Sequence, residues 1–98
     1  MLILQILSLE PAHGYGIAQR VEQISRDMVQ INEGSLYPAL HRLEKKGWLR
    51  SEWKPSETGR DAKFYALTAA GRRQLEVEKD SWARLTTAVT LIFEEGSR

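Results

Sequence analysis

Apolar and polar positions follow two rhythms along this 98-residue chain. In the opening run "LILQILSLEP" apolar residues fall at 2, 3, 4, 6, 7 and 9, without strict alternation. That predicts a helix with Leu2, Ile3, Ile6 and Leu7 buried and Pro11 as its stop. A second helix follows in "HGYGIAQRVEQIS": Ile17, Val21 and Ile24 share one side with Ala18, and Gly14 and Gly16 allow a sharp entry. Residues 28–31, "MVQI", read as a short extended piece, and a short strand there, pairing with strands further on, would explain the length of the linker after the second helix.

The stretch "INEGSLYPALHRLEKKGW" predicts a third helix. Ser35 serves as N-cap, and Pro38 falls at the third helical position, where its missing N–H costs no intrahelical bond. Leu36, Leu40 and Leu43 form the buried stripe. At about 100° per residue, Pro38, His41, Arg42 and Lys45 point the other way and Tyr37 sits at the border. Lys45 and Lys46 suit the negative end of the helix dipole, and Gly47 suits the stop.

The rhythm then changes to that of strands. "WLRSEWK" and "AKFYALT" are short and rich in aromatic and branched residues, and "PSETGRD" between them supplies turn formers, so a hairpin with a projecting loop is expected. Thr68 then caps a long final helix reaching about Glu95. The fold class is mainly α (α+β). Residues 1–67 form one small unit and residues 68–98 a helical extension.

Composition narrows the chemistry mainly by exclusion. There is no cysteine, so neither a disulfide framework nor a thiolate metal site is expected. His13 and His41 lack ligand-like spacing to acids, no nucleophile–base set appears, and Gly14-x-Gly16 is not a dinucleotide fingerprint because position 19 is Gln. No cofactor and no enzymatic activity are expected. The first residues are too few and too polar to span a bilayer and do not form a secretory leader, which makes cytoplasm the expected location. Net charge is +1, but residues 13–63 hold nine Lys/Arg against seven Asp/Glu together with both histidines.

The outer strip of the third helix could donate to base edges or phosphates if the helix lay in a major groove. A helix packed ahead of it and a hairpin behind it give the order of a winged helix-turn-helix. "HGYGIAQRVEQIS", "NEGSLYPALHRLEKKGWL" and "AKFYALTAAGRRQLE" together resemble the PadR-type transcriptional regulators over nearly the whole chain. The resemblance implies a homodimer that binds a palindromic operator in double-stranded DNA, usually as a repressor. It also implies that Ser35, Tyr37, Pro38, His41, Arg42 and Lys45 lie on the operator, with Arg60 and Lys63 on the wing and Tyr15 at a phosphate. Glu57 and Asp61 dilute the wing's charge. The family's first helix is longer than one that begins at Met1. The rival reading is a winged-helix module that binds protein rather than DNA.

The final helix, about 42 Å long at 1.5 Å per residue, outruns a 67-residue unit. Its far half nevertheless carries Trp82, Leu85, Val89 and Ile92 at heptad spacing. With Leu75 these define a seam for a second copy of the chain. The first helix could join that interface. Trp82 has two readings, a seam aromatic or a platform for a flat ligand. Some PadR-type regulators sense aromatic small molecules near this helix, so the resemblance adds an aromatic effector to the expected partners.

Overall fold

A computed structural model describes residues 2–96, and the expectation concerning Met1 lies outside them. The order is α1 (Leu2–Leu9), β1 (Ala12–His13), α2 (Gly14–Ile24), α3 (Glu33–Lys45), β2 (Leu49–Pro55), β3 (Asp61–Leu67) and α4 (Ala69–Gly96). The three strands form one antiparallel sheet in the order β1-β3-β2. Helices α1, α2 and α3 pack with the inner face of this sheet around one core. Leu4, Ile17, Leu36 and Leu40 are the largest of its fully buried side chains, and Leu49, Tyr65 and Leu67 close it from the strands. This is a winged helix, with the β2–β3 hairpin as the wing.

The third strand is not where the sequence suggested. Residues 28–31 form no strand; β1, ahead of α2, pairs with β3 through Ala12↔Tyr65 and His13↔Phe64. The α2–α3 linker is instead consumed by a turn. Arg26 and Asp27 both take positive φ (53° and 63°), and the Ser25 hydroxyl accepts the Val29 N–H at 3.1 Å. Two side-chain-bearing residues in the left-handed region reverse the chain, leaving no extended run to pair.

Two faces and one cap also differ from expectation. In α1, Leu4 rather than Leu2 is buried, and Leu2 is exposed. In α2, Ile17, Ala18 and Val21 are buried, whereas Ile24 lies past the core and is exposed. Helix α3 starts earlier than a Ser35 cap would allow. The Asn32 side chain accepts the Gly34 N–H at 2.7 Å, and its carbonyl takes the Ser35 and Leu36 N–H groups. Glu33 then falls in the first turn, where the helix dipole favours an acid. Pro38 is therefore inside the helix, not in its first turn, and one intrahelical bond is missing. The stripe of Leu36, Leu40 and Leu43 is unaffected, because it depends on spacing rather than on the starting residue.

At its other end α3 closes on Gly47, which has φ +81°. The Gly47 N–H donates to the Glu44 carbonyl and the Trp48 N–H to that of Leu43, a Schellman closure. Thr68 ties α4 to this corner. Its hydroxyl donates to the Gly47 carbonyl at 2.6 Å and accepts the Gly71 N–H at 3.0 Å, while its own N–H donates to the Trp48 carbonyl. Gly71 is needed there, because a Cβ would lie 2.1 Å from the Trp48 oxygen.

Helix α4 is buried only near its root. Leu75 is 3% exposed and belongs to its own chain's core, so it leaves the seam expected of it. Residues 79–96 are all exposed, and the molecule measures 58 × 29 × 22 Å along its principal axes.

Candidate nucleic-acid interface

Burying Leu36 and Leu40 against the core turns the opposite side of α3 to solvent. Ser35, Tyr37, Pro38, His41, Arg42 and Lys45 are all exposed on it. Among the described residues neither Arg42 nor Lys45 is held in an ion pair within 4 Å.

Glu44, an acid that flanks this strip, is turned away from it. The Glu44 carboxylate accepts the Ser51 hydroxyl of β2 at 2.5 Å and pairs with the Lys63 ammonium of β3 at 3.4 Å. The Ser51 hydrogen bond and the nearby Lys63 and His41 charges hold its carboxyl below the ordinary glutamate range, against a smaller opposing effect of burial. Glu44 therefore joins α3 to the wing. Lys63, expected on the wing's outer contacts, is drawn back toward α3 and lies beside the Tyr65 ring.

Arg60 sits in the wing's turn. The Arg60 carbonyl accepts both the Ser56 N–H and the Ser56 hydroxyl at 2.8 Å, and Gly59 supplies a φ of +84°. Arg60 is exposed, as are Glu57 and Asp61 on either side of it.

Tyr15 and Tyr37 both line the groove between the head of α2 and the wing. Tyr15 is the second residue of α2 and is 55% exposed; Tyr37 is 50% exposed. The Tyr37 ring passes over Gly14, whose bare backbone admits it. His13 caps α2: its Nδ1 accepts the Gly16 N–H at 3.0 Å, which places the ring proton of the neutral side chain on Nε2. The same ring meets Phe64 edge-on at 5.1 Å, fastening α2 to the wing strand.

Sequence reasoning missed Trp53. It shares its face of β2 with Leu49 and Ser51, but it lies past the end of the core and is 69% exposed. Period-two counting from Leu49 places it on the core-facing side and does not show that the core ends before it. The far half of α4 presents Trp82 (58% exposed), Leu85, Val89 and Ile92 to solvent, all of them exposed. No helix among the described residues is long and apolar enough to cross a membrane.

Residues 3–77 match the model of the transcriptional regulator PadR-like family. A transcriptional regulator of Mycobacterium tuberculosis is 36% identical over 77 residues, covering 79% of this chain and 68% of that protein. An uncharacterized 37.1 kDa protein in a transposon of Streptomyces fradiae is 45% identical over 89 residues, or 91% of this chain. The match spans 24% of that relative's length. Among solved structures, a PadR family transcription regulator from Clostridium difficile has a TM-score of 0.82 at 32% identity, with 94% of each chain covered. A PadR-like transcriptional regulator from Bacillus cereus has a TM-score of 0.79 at 34% identity, with 93% of this chain and 86% of that chain covered. The chain belongs to the PadR-like family, and this places it among transcriptional regulators rather than enzymes.

Proposed function

We propose that this chain acts as a homodimeric transcriptional repressor that reads a palindromic operator with α3 in the major groove. The observation that carries the reading is the outer strip of α3, where six exposed side chains include Arg42 and Lys45 free of ion pairs among the described residues. Side chains of these types donate to base edges and phosphates at groove depth. Arg60 at the wing and Tyr15 at the head of α2 flank the strip as backbone contacts.

Residues 1–67 are the DNA-binding unit and residues 68–98 the dimerisation helix. Trp82, Leu85, Val89 and Ile92 of two copies meet along α4. Burying side chains of this size contributes about 1.5–3 kcal/mol each, enough in sum to offset the cost of association. The dimer sets the two α3 helices at about one helical turn of DNA, roughly 34 Å. A flat aromatic effector stacked on Trp82 at this seam would shift the population between DNA-competent and incompetent spacings. The working compartment is the cytoplasm.

The test is fluorescence anisotropy with duplexes selected from genomic fragments, repeated across a salt series, alongside sedimentation at micromolar protein. Affinity should fall steeply and log-linearly with salt. Absence of binding to any duplex at low salt would leave the protein-binding module as the better reading. A monomer in the centrifuge would remove the seam.

A further inference from the structure

The wing carries a large aromatic side chain that the contact proposed for α3 does not use. Along β2, Leu49, Ser51 and Trp53 share one face. Leu49 is in the core and Ser51 bonds Glu44 of α3, so Trp53 continues this face beyond the core, on the α3 side. Its cross-strand partner is Lys63, which is itself held to Glu44.

Between the wing and the head of α2 runs a groove of about 770 Å³, walled by Trp53, Phe64, His13, Tyr15 and Tyr37. Tyr37 also belongs to the outer strip of α3, so the groove is continuous with the proposed DNA surface. The root of α4 lies at the other end of the hairpin, where the Thr68 N–H meets the Trp48 carbonyl. Five strand residues, about 16 Å at 3.3 Å per residue, separate that corner from Trp53. A dimer formed along the far half of α4 therefore leaves Trp53 uncovered.

We propose that this groove receives one sugar–phosphate strand of the duplex and that Trp53 is a DNA-positioning residue. Its indole packs on a deoxyribose and its Nε1–H donates to a phosphate oxygen. The proposal rests on the DNA-binding reading above. Formal charges in the groove cancel, with Arg20 and Lys63 against Glu10 and Glu57, so it is not a cluster of cations for a free anion. It is a set of ring faces with O–H and N–H edges. A backbone strand offers the matching alternation of apolar sugar and acceptor phosphate. Contacts of this kind fix the register of the protein without reading bases.

The test uses Trp53→Ala and Trp53→Phe in the full chain, with thermal melts to confirm the fold. Trp53→Ala should weaken binding to operator and to unrelated duplex by the same factor, on the order of tenfold. Trp53→Phe should lose less. The salt slope should stay at its parent value, since no cation is removed, whereas Lys45→Ala should lower it by about 1. In a Trp48→Phe/Trp82→Phe variant Trp53 is the one remaining tryptophan, and its emission should change when duplex is added. Unchanged affinity of Trp53→Ala with silent Trp53 emission, while the parent still binds duplex, overturns the proposal and leaves the DNA-binding reading standing. A parent that binds no duplex overturns both.

Discussion

The Tyr37 ring of α3 lies over Gly14 at the head of α2, so close that a Cβ there would come within 2.6 Å of it. The clash would be with the far end of a half-exposed side chain, which can swing into solvent. Gly14→Ala should therefore change stability by less than about 1 kcal/mol, since alanine is the better helix former. It should nevertheless displace the Tyr37 hydroxyl and weaken duplex binding about as much as Tyr37→Ala does. In a Tyr37→Ala background the Gly14 substitution should cost nothing further. Additive losses of affinity would show that Gly14 acts without Tyr37.

Gly71 makes the opposite case. A Cβ there would meet a backbone atom, the Trp48 oxygen at 2.1 Å, and that oxygen is already fixed by the Thr68 N–H. Neither group can move without opening the corner that joins α3, β2 and α4. Gly71→Ala should destabilise the fold by about 1–3 kcal/mol or more. A chemical-denaturation midpoint equal to the parent's would refute this.

These two glycines show what the sequence disclosed and what it hid. The wing was legible because two period-two runs flank a segment with Pro55 and Gly59, and α4 was legible because Thr68 precedes a long stretch without breakers. The stripe on α3 was legible because Leu36, Leu40 and Leu43 share a face whichever residue caps the helix. The cap was not, since Asn32 and Ser35 are both competent and the choice depends on which carbonyl begins the ladder. Residue 28–31 looked like a strand because nothing local announces that Arg26 and Asp27 will take positive φ. Leu75 fits the heptad as well as Trp82 does; spacing does not reveal how far a helix is covered by its own domain. Trp53 sits on an ordinary strand, and its exposure comes from where the core ends.

Glu44 makes stability depend on pH in a definite direction. Its carboxyl is held below the ordinary range, first by the Ser51 hydroxyl and then by Lys63. A depressed pKa in the folded state favours folding fully above the unfolded value, and the benefit is lost as pH falls through the folded one. Glu44→Gln should lower the urea midpoint by a constant amount near neutrality. The gap should narrow as pH falls below the ordinary glutamate range and close once the folded carboxyl, held lower still, is also protonated. A gap that shows no narrowing down to the lowest pH at which both proteins still fold would mean that packing, not charge, is what the variant loses.

The far half of α4 gives the prediction on which the dimer stands. Trp82 and Ile92 are exposed in the single chain and ten residues apart on one helix, so neither is needed for the fold of residues 2–67. Placing a carboxylate at either position would bury an unpaired charge in the seam, an arrangement that costs several kcal/mol. Trp82→Glu and Ile92→Glu should each keep the parent's core packing and shift sedimentation at micromolar concentration to the monomer. Leu75→Glu should instead unfold the chain, because that leucine is in the core. Monomeric variants should also lose operator affinity far more than affinity for a single half-site, because joining two sites on one dimer supplies the difference. Equal loss on both DNAs would mean that α4 acts through the fold of the DNA-binding unit and not through the pairing of two copies.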